Sequence, residues 1–104
     1  MKSEIPVDAY VLDTLMRDLV GHDREPSAFI VYLCLWRRIM ASTDERVHLS
    51  YEAIADATGL SRRTVQRAIA TLTRRHLIRA RRAFATATPE YTLIRHWRRR
   101  SGGA

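Results

Sequence analysis

The chain has 104 residues, of which 46% are hydrophobic, so it can build one compact domain with a buried core but not two domains. Its single cysteine, Cys34, excludes an intrachain disulfide and fits a reducing compartment. Residues 1–60 carry six Lys/Arg and ten Asp/Glu, whereas residues 61–104 carry twelve arginines and one acid, Glu90. This asymmetry predicts that the second half of the chain binds a polyanion.

Two helices are predicted before residue 42, after a flexible arm at 1–6. Pro6 should open the first helix, which runs to about Val20 and ends at Gly21 as a C-cap. Its apolar residues follow helical spacing: Val11, Leu12, Leu15, Met16 and Leu19. The second helix should begin at Pro26 or Ser27 and run to about Met40, which places both helices within residues 7–41. It is apolar on nearly all sides, so it is either central in the fold or covered by a partner chain.

A helix-turn-helix is predicted over residues 50–75, after a loop and one very short strand at 47–49. Ser50 caps a helix from Tyr51 to Thr58, and Gly59 ends that helix. Ser61 then caps a second helix that runs from Arg62 to about Arg75. Its inward stripe is Val65, Ala68, Ile69 and Leu72. Because the connection is so short, the two helices must cross steeply and leave the polar face of the second one outward.

A two-strand wing is predicted over residues 77–95, with strands from Leu77 to Arg82 and from Tyr91 to Ile94. The connecting segment 83–88 consists of small residues and Phe84, and Pro89 breaks regular structure. Residues 96–104 form a basic tail. Trp97 within this tail either packs on the core beneath the first helix, which we favour, or stacks on a base.

The segment from Leu49 to Leu72 resembles the helix-turn-helix of bacterial winged-helix regulators. These include the DNA-binding domains of GntR-type repressors and plasmid replication initiators, and the resemblance spans about residues 26–95. Ala55, Gly59 and Val65 stand where that pattern has a small residue, a glycine and an aliphatic residue. The chain departs from it at His76, where glycine is commonest, and at the wing tip, which is neither glycine-rich nor basic. The resemblance implies an α+β, mainly α, winged helix-turn-helix in a single domain, 1–104.

The resemblance also implies which residues contact DNA. Arginine can pair bidentately with guanine and glutamine with adenine, while hydroxyls and amides at a helix start can hold a phosphate. For any single arginine, a base contact and a phosphate contact remain equally open. The predicted DNA-binding residues are Ser61, Arg62, Arg63, Thr64, Gln66, Arg67, Arg74, Arg79, Arg81, Arg82, Arg98, Arg99 and Arg100.

These features predict sequence-specific binding of double-stranded DNA by a transcriptional regulator that is not an enzyme. The alternatives are a replication, plasmid or phage accessory role, and a winged helix that serves as a protein-interaction module. The four histidines are scattered and no Gly-rich phosphate loop occurs, so no metal, cofactor or small-molecule substrate is expected.

We also expect a homodimer on DNA, because one recognition helix reads too few base pairs. The material for its interface would be the second helix, with Tyr32 and Trp36, and Val11, Leu15 and Leu19 of the first helix. The alternative is a monomer in which these residues form the core. The N-terminus lacks a signal-peptide apolar region, and the longest apolar run is too short to span a membrane, which predicts a cytoplasmic, nucleoid-associated protein.

Overall fold

A computed structural model describes residues 3–98 of the chain. Two consecutive π-helical segments, Val11–Leu15 and Arg17–His22, form what we call the N-terminal helix. Three α-helices and three short strands follow in the described residues. They are α1 (Pro26–Ala41), β1 (Val47–His48), α2 (Tyr51–Thr58), α3 (Arg62–Arg74), β2 (Ile78–Arg81) and β3 (Glu90–Leu93). The strands form one antiparallel sheet in the order β1-β3-β2, so the predicted mainly helical winged fold is confirmed.

The N-terminal helix differs from the predicted α-helix in its hydrogen bonds and its ends. Each characteristic bond spans five residues, as in the 2.8 Å bond from the Asp23 amide to the Asp18 carbonyl. The predicted start at Pro6 and the predicted stop at Gly21 are wrong, because helical structure begins at Ala9 and continues to His22. Gly21 lies inside the helix, and the left-handed residue that turns the chain toward α1 is Arg24, with φ 56°.

The predicted arm over residues 1–6 is also corrected at its C-terminal end. The Pro6 carbonyl accepts a 2.9 Å hydrogen bond from the indole Nε1 of Trp36. Ile5 is partly buried and packs against the core. A buried indole N–H needs an acceptor, and the arm supplies one. Residues 5 and 6 are consequently attached to the domain.

Helix α1 is the centre of the core, and this chain itself covers it. It packs against the N-terminal helix, α2, α3 and the sheet. Tyr32 and Trp36 are 0% and 1% exposed. The residues named above as dimer material therefore belong to the core of one chain: Val11, Leu15, Leu19, Tyr32 and Trp36. Any dimer must use another surface.

The helix-turn-helix forms with the predicted caps. The Ser50 hydroxyl accepts a 3.0 Å bond from the Ala53 amide, and the Ser61 hydroxyl accepts a 3.1 Å bond from the Thr64 amide. Gly59 has φ 81°, and its amide bonds to the Ala55 carbonyl at 2.8 Å. These bonds end α2 and begin α3 within three residues, so the predicted short connection is present.

The exit from α3 uses a histidine in the position that favours glycine. His76 has φ 57°, and the Leu77 amide reaches back to the Leu72 carbonyl at 3.0 Å. This left-handed residue reverses the chain into β2 immediately after the helix. The chain therefore adopts the left-handed backbone conformation that this position of the winged-helix pattern requires, although the residue is histidine and not glycine.

The short strand expected near residue 47 is present and widens the two-strand wing to a three-strand sheet. Val47 pairs with Tyr91, and Tyr91 pairs in turn with Ala80. Tyr91 is fully buried, and this burial raises the pKa of its hydroxyl to about 12. The neighbouring register row, His48, Glu90 and Arg81, has the opposite orientation and faces away from the core.

Candidate nucleic-acid interface

Helix α3 presents a polar, cationic face to solvent. Its buried stripe packs mainly on α1 and α2, and Val65 and Leu72 are fully buried. The opposite face has no acidic residue. Its exposed members are Arg62, Arg63, Gln66, Arg67, Ala70, Thr73 and Arg74. With 100° between successive residues, Arg63, Gln66 and Ala70 lie at the centre of this face.

Two arginines on the borders of this face form intramolecular ion pairs. Arg62 Nη1 lies 3.6 Å from Glu52 Oε1 on α2, and Arg67 Nη2 lies 3.5 Å from Glu25 Oε1 at the start of α1. The two arginine side chains are 61% and 74% exposed, so these pairs are weak and solvated. Arg62 and Arg67 are therefore oriented along the borders of the face, and the residues at its centre carry no such pair in the described chain.

The N-terminus of α3 is occupied by its own cap. The Ser61 hydroxyl both accepts from the Thr64 amide and lies 2.9 Å from the Thr64 hydroxyl. Thr64 is half-buried. The predicted phosphate-binding hydroxyls thus already bond to each other, and their clear role in the structure is to begin the helix.

The wing separates its three predicted arginines. Arg79 and Arg81 are exposed on the face of β2 that points away from the core. Arg82 turns back instead: its guanidinium lies 5.7 Å from the ring centroid of Tyr51 and donates to the Ala87 carbonyl. Arg82 therefore braces the wing against α2.

A cationic surface cleft surrounds the only acid of the second half of the chain. Glu90 Oε2 lies 3.6 Å from Arg46 Nη1 and 3.7 Å from His48 Nε2, and Arg81 and Arg82 also line the cleft. The sequence-based prediction did not assign Arg46 or His48 to the DNA-binding site, because they precede the basic half. A predicted pairing of β1 with β3 would have placed these residues beside Glu90.

The C-terminal segment is tied to the N-terminal one. Asp8 accepts hydrogen bonds from Trp97 Nε1 at 2.9 Å and from Arg98 Nε at 2.7 Å, and its second oxygen pairs with Arg98 Nη2. Trp97 stacks on Tyr10 with ring centroids 4.5 Å apart, so the favoured packing of Trp97 on the core is observed. The bonds from Arg98 hold the pKa of Asp8 below its usual value.

Arg98, which was predicted to contact DNA, pairs with a protein carboxylate in the fold, and its contact with DNA stays a prediction. Arg99 and Arg100, predicted with it, lie outside the described residues. Arg74 is exposed and donates a long 3.4 Å bond to the Thr71 hydroxyl. Arg75, which was not predicted as a site residue, pairs with Asp23 at 3.1 Å and joins the end of α3 to the end of the N-terminal helix.

Two structural findings concern other kinds of site. Among residues 3–98, no helix is long and apolar enough to cross a membrane. In the same range, no group of three His, Cys, Asp or Glu side chains comes together in a way that could hold a metal ion.

The capped helix pair with its three-residue connection, the cationic outer face of α3 and the three-strand sheet together define a winged helix-turn-helix. Comparison with protein-family models agrees with this class: the model of the helix-turn-helix domain matches residues 25–78, just over half of the chain. The chain belongs to this family. The matched segment contains α1, β1, α2 and α3, and the family indicates DNA binding. Searches of the curated proteins and of the solved structures gave no match.

Proposed function

We propose that this protein binds double-stranded DNA sequence-specifically as a bacterial transcriptional regulator, with α3 in the major groove. The observation that carries the proposal is the outer face of α3, which is exposed and has no acidic residue, in a helix that follows α2 after only three residues, with the bonds at Gly59 and Ser61 ending one helix and beginning the other. A helix presented in this way fits the width of the major groove.

Base reading is assigned to the centre of that face. Arg63 can pair bidentately with guanine O6 and N7, and Gln66 can do so with adenine N6 and N7. Ala70, between them and the helix C-terminus, lets the helix approach the groove floor, where its methyl group can contact thymine. Ala70 is thus added to the predicted reading residues.

Phosphate contacts are assigned to the borders of the face and to the wing. Arg62, Arg67 and Arg74 flank the centre of α3. The first two can exchange a solvated carboxylate for a phosphate at small cost. Arg79 and Arg81 extend from the outer face of β2. Arg99 and Arg100 stay in the proposal as sequence-based phosphate contacts.

The test is selection of genomic fragments on the purified protein, repeated with variants. Gln66→Ala and Arg63→Ala should each change the preferred sequence, with a loss of about 1–3 kcal/mol at the cognate site. Arg79→Ala is the matched control, because loss of a phosphate contact should weaken all sequences equally. If both α3 variants select the same sequences as the parent, α3 is not the reader.

The regulatory role is tested by where the selected fragments lie and what they do. Sites in many promoters, with a change in reporter output when the protein is expressed, would support a transcriptional regulator. A single repeated array next to a replication origin would support the replication role. Binding without any sequence preference would contradict sequence-specific regulation. We further propose that the protein acts as a homodimer, because two recognition helices read a longer site.

A further inference from the structure

The N-terminal helix carries two adjacent lines of apolar side chains, and only one of them is buried. Residues 10–21 repeat with a period of four: the second residue of each group is buried and the third is exposed. The buried line is Val11, Leu15 and Leu19, at 0–2% exposure. The exposed line is Leu12, Met16 and Val20, at 41–48% exposure.

The four-residue repeat in burial runs through both π-helical segments and defines the two lines. The core uses one line, against α1. The second line contacts solvent along the full length of the helix in the described chain, and three consecutive large apolar residues in line exceed the scattered single exposures that are normal on a surface.

We propose that the exposed line is the contact surface for a second copy of this chain, with the two N-terminal helices antiparallel. In a pair centred on Met16, Leu12 of each copy meets Val20 of the other, and the two Met16 side chains meet at the two-fold axis. Such a contact is isologous and closed, so it produces a dimer and no longer assembly.

The charges beside the line favour a second copy in this orientation. Asp13 and Arg17 occupy the next line around the helix and are both exposed. In the antiparallel pair, the two-fold axis brings the same side of the two helices together, so Asp13 of each copy lies close to Arg17 of the other. Arg17 is 76% exposed and is only 3.9 Å from Asp18 within its own chain, so it can reorient to meet the second copy.

The contact is small, which sets the expected strength of the dimer. A three-residue line on one short helix buries less than the roughly 800 Å² per partner of a standard stable interface. We therefore expect weak, reversible association in solution, tightened when a duplex with two sites binds both copies. The inference rests on the proposed homodimer and identifies its surface. Association is measured without DNA, so the result can be interpreted even if the protein does not bind DNA.

The experiment is sedimentation equilibrium of the full chain over roughly 5–500 μM, because weak association becomes visible by mass action as the concentration rises. Met16→Glu should weaken association at least about tenfold, because two carboxylates would oppose each other at the axis. Phe84→Glu is the matched control: Phe84 is 66% exposed at the wing tip, away from the line, and its replacement should leave association unchanged. Circular dichroism checks that each variant folds.

Exchanging the charges of Asp13 and Arg17 tests the antiparallel orientation. It also provides an independent test if Met16→Glu disturbs folding. Asp13→Arg should weaken association, and the double variant Asp13→Arg/Arg17→Asp should restore it, since both residues are exposed. The inference is overturned if the parent chain stays at 12.0 kDa throughout, if Met16→Glu associates as the parent does, or if the double variant is no stronger than Asp13→Arg. Association that survives every change on this line would assign the dimer to another face.

Discussion

Asp8 joins the two ends of the domain, and its replacement should measure how much that junction contributes to stability. Its carboxylate accepts three hydrogen bonds, one from Trp97 and two from Arg98, and its side chain is 19% exposed. Asp8→Asn keeps the shape, removes the ion pair and leaves at least one donor without an acceptor. The stacked Tyr10 and Trp97 rings would lose the anchor that fixes the indole.

The expected cost follows from the exposure of the partners. A hydrogen bond to a charged group contributes about 1.5–3 kcal/mol when it is protected from water. Arg98 is 47% exposed, so its share is discounted to about 0–1 kcal/mol. We expect Asp8→Asn to lower the free energy of unfolding by about 1–2 kcal/mol, which corresponds to a melting temperature lower by roughly 4–12 °C for a domain of this size.

The pH dependence provides a second signature of the same junction. Because the pKa of Asp8 is lowered in the folded state, its contribution is fully present above the unfolded value of about 3.9 and is lost as the pH falls through the lowered value. The difference between the parent and Asp8→Asn should therefore be constant from about pH 7 to 5 and shrink below about pH 4.

Thermal unfolding followed by circular dichroism measures both effects. Glu4→Gln is the matched control, because Glu4 is an exposed acid on the same N-terminal segment with no ion pair in the described residues. It should melt as the parent does at neutral pH. Equal melting temperatures for Asp8→Asn and Glu4→Gln, or a difference that persists unchanged at acid pH, would refute the assignment of Asp8 as the junction.

Three further predictions concern single positions. Ser61→Ala removes the cap of α3 and should cost about 1 kcal/mol in urea unfolding, whereas a cost near zero would mean the cap does not limit stability. Gly59→Ala should destabilise by about 1 kcal/mol or more because of its φ of 81°, while Gly21→Ala, inside a helix with open space around it, should not; equal effects would contradict the backbone argument. The Tyr32 hydroxyl is buried with no partner in the described chain, so Tyr32→Phe should leave stability unchanged or raise it by about 1 kcal/mol, and a clear loss would reveal an acceptor for that hydroxyl.

The helix-turn-helix could be predicted from the sequence because its determinants are local. Ser50, Gly59 and Ser61 each act on backbone groups within four residues, so cap type and spacing define both helices before any tertiary contact forms. The stripe of α3 is equally local, since helical periodicity alone separates its apolar face from its cationic one. These features were sufficient to predict the fold and the helix that faces outward.

The sequence did not reveal which apolar residues of the first forty are buried, because helix-helix packing decides which line of side chains is covered. The same pattern of paired apolar residues fits an α-helix or a π-helix, and the choice depends on how the N-terminal helix lies against α1. The sequence shows that Tyr32 and Trp36 have large, mainly apolar side chains. Only the fold shows that other parts of the same chain cover them, so that no partner is needed to bury them. The surface left for a partner was accordingly assigned to the wrong residues.

Which arginines face outward unpaired was decided by tertiary structure. By sequence, Arg67 and Arg98 differ little from Arg63 and Arg79. In the fold, Arg67 meets Glu25 and Arg98 meets Asp8, an acid 90 residues away along the chain. Charge composition predicts that the second half of the chain is a cation, because charges sum whatever the fold. The partner of each charge depends on distances of a few ångströms between remote segments, and only the packed chain sets those distances.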